Sequence, residues 1–200
     1  MRLCIATPHE WAVRERNGIG YTCMQALLPH LIRVLALYVI IAIGMISPGS
    51  AQPMAVPLQL QATILQKIFS YDRTLEHRAP KVLIVTADAN DPQVGELKAT
   101  LIRLGSTVDV TSAANLAAQV DGASAVYIMP GQLTDAVSRT CAQHSILSVS
   151  GVPAWAEQGR VSIAIGLAGG KPEIVVSLQR SKAERHDLSS RLLRLSRVIP

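Results

Sequence analysis

Cysteine is scarce in this chain: Cys4, Cys23 and Cys141 are the only three among 200 residues. No two of them are spaced as C-x-x-C, no zinc-ligand pattern occurs, and no pair of histidines has metal-ligand spacing. Structural zinc and a dithiol redox centre are therefore excluded as organising chemistry. Internal repeats and low-complexity tracts are also lacking, and nothing in the residues calls for a cofactor. Charge is modest, with 19 Lys and Arg against 14 Asp and Glu, a net of +5. That excess is too small to argue for a nucleic-acid partner.

What stands out is an export signal. Residues 34–46 read VLALYVIIAIGMI, an unbroken apolar run with Arg33 and His30 before it. Ser47-Pro48-Gly49-Ser50-Ala51 then breaks the run and supplies small residues for an A-x-A-like cleavage site, which predicts cleavage after Ala51. The run falls short of the roughly 20 apolar residues of a membrane span. Residues 1–23 match no ordinary n-region, so Met24 is the better start of translation, and 1–51 are read as an N-terminal extension plus signal peptide. Export places the rest outside the cytoplasm, in the periplasm, where ATP, GTP and nucleic acid are not at hand.

The mature chain, residues 52–200, is then 149 residues long, about one domain. Losing four arginines and two glutamates lowers the net charge to about +3. Only Cys141 survives, and one thiol cannot staple its own chain. It reads as a small buried apolar residue, with an intermolecular disulfide as the alternative.

After a Pro-containing leader, Leu60, Ile64, Leu65, Ile68 and Phe69 recur at helical spacing to about Tyr71. A polar connection follows over 72–80. Lys81-Val82-Leu83-Ile84-Val85-Thr86 is a strand buried on both faces. Asp91-Pro92 starts a helix carrying Val94, Leu97, Leu101, Ile102 and Leu104, and Gly105 ends it. Strands are expected at 107–111, 125–129 and 146–149, separated by helices near 115–120 and 134–144, a rhythm of right-handed βαβ units. Residues 161–165 and 173–178 form a hairpin about Ala168-Gly169-Gly170-Lys171. A final helix is predicted over 182–198, with Leu188, Leu192, Leu193, Leu195 and Val198 inward and Arg185, Arg191, Arg194 and Arg197 outward. The expected fold is α/β: three layers, a mainly parallel sheet of about six strands with a C-terminal antiparallel hairpin, and helices on both faces.

Catalysis finds little support. Asp88 follows a receiver-like first strand, but Met129-Pro130 stands where a receiver keeps its acceptor aspartate, so Asp88 reads as a solvated turn residue. The glycines at 166–170 join two strands, whereas a phosphate cradle opens onto a helix. Ser150-Gly151-Val152 lacks the preceding glycine of a nucleophile elbow, and His77, His144 and His186 offer it no evident base. The arginines of the last helix are within reach of anionic lipid, but interleaved Ser189, Ser190 and Ser196 make the face mixed, so it reads as solvated, with a partner-docking face as the alternative. Trp155, on the connection 151–159, is either packing or a contact residue. In an open parallel sheet a ligand sits beyond the carboxyl ends of the strands, near Asp88, Asn90, Pro130, Gln132, Ser150 and Trp155.

Residues 146–151 (ILSVSG), 159–164 (GRVSIA), 171–178 (KPEIVVSL) and 188–199 (LSSRLLRLSRVI), with the opening helix, resemble the YfiR-type (YfiR/HmsC-like) family of exported bacterial proteins. The resemblance implies a non-enzymatic periplasmic regulator that binds the periplasmic part of a membrane-anchored signalling protein, a diguanylate cyclase, and holds its output down. Cyclic-di-GMP and biofilm would follow from that. A homodimer is compatible with it. The chain departs from the best-known members in lacking paired cysteines and an aromatic-rich run after the first helix. The alternative is a periplasmic small-molecule binding protein resembling one lobe of a solute-binding protein.

Overall fold

The computed structural model describes residues 56–75 and 79–200. The apolar run, the position after Ala51, Met24 and residues 52–55 of the leader lie outside the described residues, as does His77. No helix among the described residues is long and apolar enough to cross a membrane.

The first half follows the βαβ rhythm of the sequence. Strand β1 (Lys81–Val85) is buried at four of its five positions, as an apolar run covered on both faces must be. Helix α1 (Leu58–Phe69) precedes it and buries Ala62, Leu65, Ile68 and Phe69. Helix α2 (Pro92–Arg103) starts where Asp91 accepts the Gln93 N–H at 2.8 Å, and Pro92 fills the first turn, where no N–H is needed. It buries Val94, Leu97 and Leu101, each contributing about 1.5–3 kcal/mol of apolar burial. Gly105, at φ 94°, turns the chain out of it. Then come β2 (Thr107–Thr111), α3 (Leu116–Gln119), β3 (Ala125–Ile128), α4 (Asp135–His144) and β4 (Leu147–Ser150). Thr134 caps α4 by accepting the Val137 N–H, and Asp135 lies in the positive first turn.

Helix α5 (Pro153–Glu157) leads to β5 (Ile163–Ala168) and β6 (Lys171–Ser177), an antiparallel hairpin closed by Gly169 and Gly170 at φ 57° and 77°. Both central residues are left-handed, the turn whose twist matches the strands. The strand order is β2-β1-β3-β4-β5-β6-β7, with β7 (Arg197–Ile199) at the far edge, and it is parallel from β2 through β5. One core packs α1 and α2 against Val82, Ile84, Tyr127, Met129, Leu147 and Val149. The other packs α3, α4 and α5 against Leu83, Val85, Val126, Ile128 and Ala164. The protein is thus a three-layer α/β structure with a mainly parallel sheet and a C-terminal hairpin.

Two expectations are corrected. The helix predicted over 182–198 is three elements: α6 (Leu178–Ala183), α7 (Ser190–Arg194) and β7 (Arg197–Ile199), which adds a seventh strand alongside β6. Arg185 takes a left-handed φ of 59°, and Ser189 restarts the helix by accepting the Leu192 N–H. Leu195 does not face inward but is 65% exposed, and Arg197 leaves the outer face to bond Glu157 and Glu173. The connection carrying Trp155 is helical rather than a loop, because Pro153 presets the first turn of α5.

Candidate functional site

The order β2-β1-β3 reverses direction between β1 and β3, and a crevice opens where the carboxyl ends of those strands diverge. Two adjoining cavities occupy it. One, of about 290 Å³, is lined by Gln61 of α1, Gln93 and Glu96 of α2, Tyr127, Met129, Pro130 and Gly151 among others. The second, of about 230 Å³, is lined by Thr86, Asp88, Asp91, Gln93, Met129, Pro130 and Gln132 among others. They share Gln93, Met129 and Pro130 and so form one cleft with a rim on α2.

A hydrogen-bond chain forms the floor of the larger cavity. The Tyr127 hydroxyl donates to Gln61 Oε1 at 2.5 Å, and Gln61 Nε2 donates to the Val56 carbonyl at 2.7 Å. Burial pushes the Tyr127 phenol up, so it stays a neutral donor. Gly151 is held to hydrogen at its α-carbon, since a Cβ there would lie 2.9 Å from Gln61 Oε1 and 3.1 Å from the Tyr127 oxygen. The floor is therefore neutral and amide-like. Glu96 at the rim gives it one negative charge suited to an amine or a donor-rich group.

The acidic end is held by turn geometry. Asp88 Oδ1 accepts the Asn90 N–H at 2.8 Å, and Thr86 Oγ1 donates to the Asp88 carbonyl at 3.1 Å. Asp88 and Asn90 are exposed, and Asp88, Pro130 and Gln132 meet on one wall. Ser150 and Trp155 do not join them. Ser150 is fully buried, its hydroxyl donating to the Ile128 carbonyl at 2.9 Å and accepting the Val152 N–H at 3.3 Å. Trp155 packs on the other side of the sheet, against the core of α3, α4 and α5. Sequence reasoning did not find Gln61, Gln93, Glu96 or Tyr127. Their signal was weak: a glutamine on the buried stripe of α1, and a tyrosine inside an otherwise aliphatic strand.

A third cavity, of about 280 Å³, lies at the opposite, amino ends of the strands, lined by Thr74, Ser124, Ser145, Arg185 and His186 among others. Behind it His186 Nδ1 is 2.6 Å from Asp72 Oδ2, both side chains nearly inaccessible. Burial alone would push the Asp72 carboxyl up. Hydrogen bonds from His186 and Thr74 and the charge of the imidazole outweigh it, so the carboxyl titrates below the ordinary aspartate range. His186 Nε2 is buried with no hydrogen-bond partner among the described residues. Among the same residues no group of three or more His, Cys, Asp or Glu could hold a metal ion.

Solved structures share this fold at low identity. The ABC domain from Streptococcus pneumonia, crystallised in complex with L-Trp, superposes with a TM-score of 0.54 at 14% identity, covering 72% of this chain and 60% of that one. A conserved domain protein from Vibrio cholerae O1 biovar El Tor gives 0.51 at 11% identity, covering 71% and 60%. The chain thus spans about three fifths of the length of these structures. No curated protein is a significant match. Residues 58–197, by contrast, match the YfiR/HmsC-like family from the first helix to the last strand, and the chain belongs to that family.

Proposed function

We propose that this is an exported periplasmic regulator that binds the periplasmic part of an inner-membrane diguanylate cyclase, or a related sensor, and represses it. The observation that carries the reading is family membership over residues 58–197. The site adds support of a chemical kind. Ser150, the one hydroxyl placed like a nucleophile, is buried and engaged with the Ile128 carbonyl, and the cleft between β1 and β3 is floored by neutral groups. Such a surface suits recognition more than bond breaking.

The test is a pull-down from envelope extracts with the tagged protein, paired with cyclic-di-GMP measured in a deletion strain. Recovery of a membrane sensor and a rise in cyclic-di-GMP are expected. Recovery of none, with unchanged cyclic-di-GMP, overturns the reading. The domain division is part of the proposal: residues 1–51 as extension and signal peptide, translation from Met24, and a single domain from Gln52. The N-terminal sequence of the exported protein checks it, and any terminus other than Gln52 overturns the cleavage site.

A second reading rests on the cleft, as a binding site for a small molecule. It is favoured by the 290 Å³ cavity at the point where strand order reverses. The similar fold from Streptococcus pneumonia was solved with L-Trp, and an amino acid would set its ammonium against Glu96. L-tryptophan at about 100 times its dissociation constant would add roughly 2.7 kcal/mol to stability. A melting temperature unmoved by millimolar L-tryptophan and other amino acids removes this reading and leaves the first intact.

A further inference from the structure

The short helix α7 and the end of α1 form a surface that neither reading uses. Arg191, Arg194 and Leu195 are three and four residues apart and share the outer side of α7, while Leu192 on the other side is buried. Leu195, at 65% exposure, is the most exposed large hydrophobic among the described residues. Arg191 and Lys67 both bear on one aromatic ring, with the guanidinium 5.6 Å and the ammonium 5.7 Å from the centre of Tyr71. That shared ring puts α1 and α7 on one continuous patch. Neither α1 nor α7 contains an acidic residue. Among the described residues none of Lys67, Arg191 and Arg194 forms a salt bridge, whereas nearby Asp187 is paired with Arg73.

We propose that this patch docks on an anionic phospholipid surface. Leu195 enters the boundary between headgroups and acyl chains, Arg191, Arg194 and Lys67 meet lipid phosphates, and the amphipathic ring of Tyr71 lies at headgroup level. Charge complementarity selects the occupant: three cations that form no salt bridge among the described residues, around one protruding aliphatic side chain, match a plane of phosphates above hydrocarbon. The geometry is independent of which protein the regulator binds. It would hold the domain at the membrane, and each arginine would add to the attraction within a screening length.

The experiment uses the full chain carrying Leu195→Trp, mixed with vesicles of phosphatidylglycerol and phosphatidylcholine whose acyl chains are brominated. The signal is read as the difference from the wild-type chain, whose Trp11 and Trp155 supply the background, so quenching through other segments is subtracted. Quenching of the added indole by at least about half is expected in anionic vesicles, with little in pure phosphatidylcholine and loss of most of it at high salt. Arg191→Gln with Arg194→Gln should weaken the anionic-vesicle response at least about tenfold. Ile102→Trp, on the exposed side of α2, is the control and should stay unquenched. Equal quenching in neutral vesicles, equal quenching at Ile102→Trp, or indifference to the double substitution overturns the proposal. An emission shift with detergent-solubilised acidic envelope protein and none with lipid would assign the patch to a protein partner, and equally overturns it.

Discussion

Glu184 accepts the hydroxyl of Ser162 at 2.5 Å across the seam between β4 and β5. The same oxygen accepts the Ser148 N–H at 2.9 Å, and Ser162 donates its own N–H to the Ser148 hydroxyl at 2.8 Å. The β4–β5 ladder is short, pairing Val149 with Ile163 and Ser150 with Ala164. A carboxylate from the turn after α6 thus replaces backbone pairing where the two strands part. Arg180 balances the charge, its Nε donating to Glu184 Oε1 at 2.8 Å and its Nη2 to the Ser138 carbonyl of α4.

Glu184→Gln should destabilise the domain by about 3 kcal/mol, because it breaks a buried pair and leaves the arginine uncompensated. Urea unfolding checks this. A loss below about 1 kcal/mol would show that the amide takes over the seam.

Gly166 and Pro153 touch so closely that a Cβ on the glycine would sit 2.2 Å from the proline Cγ. Gly166→Ala should therefore cost about 1–3 kcal/mol through overpacking. Pro153→Ala should restore part of it when the two are combined. Additive single and double changes in melting would contradict this contact.

Tyr127→Phe removes the donor to Gln61 and leaves a buried amide oxygen short of a partner. A loss of about 1–2 kcal/mol is expected, along with the disappearance of any ligand-induced shift in melting at the cleft. Full stability in the phenylalanine variant would mean that another donor reaches Gln61.

Asp72 gives a pH dependence of known sign. Its folded carboxyl titrates below its unfolded value of about 4. Its contribution is fully present above about pH 4 and is lost as pH falls through the lower folded value. Wild type and Asp72→Asn should therefore differ most in thermal stability above the ordinary aspartate range of about pH 4 and converge as the pH falls through the lowered folded value. A gap that stays constant through that fall would contradict the pairing.

Cys141 is fully buried, and burial together with the charge of Glu184 pushes its thiol up to about 12. At about pH 8 a maleimide or disulfide reagent should label it orders of magnitude more slowly than a free thiol, and rapidly once urea unfolds the chain. Fast labelling of the native protein would remove it from the core.

The parallel half of the fold was legible because its signals are local. Lys81-Val82-Leu83-Ile84-Val85 carries its burial in its composition, and Asp91-Pro92 carries both halves of a helix start. The tail was misread for the opposite reason. Leu188, Leu192 and Leu195 do fall at helical spacing, but the chain breaks at Arg185 because His186 is drawn to Asp72, a residue 114 positions away. No window of sequence contains both partners. Of the candidate residues, Asp88, Pro130 and Gln132 line one cavity at the strand ends, whereas strand parity turns the Ser150 hydroxyl away toward the Ile128 carbonyl. Gln61 and Tyr127 became site residues only when α1 lay across β3, a tertiary event.

Asp72 bridges Leu188 in a short antiparallel step, beside which Arg73 donates its N–H to the Asp187 carbonyl and Ser189 donates to that of Tyr71. The first helix is therefore fastened to almost the last turn of the chain. A polypeptide delivered amino end first can lay the apolar stripe of α1 on α2 and the early strands, but the chain at Tyr71 and Asp72 stays unfastened until residue 188 arrives, since the fastener has no local substitute. Loop closure over so long a stretch makes the final step slow. The far end of α1 is thus secured late, so a chain that stops before residue 186 should leave Tyr71, Asp72 and Arg73 without their partners and loosen that end of the helix.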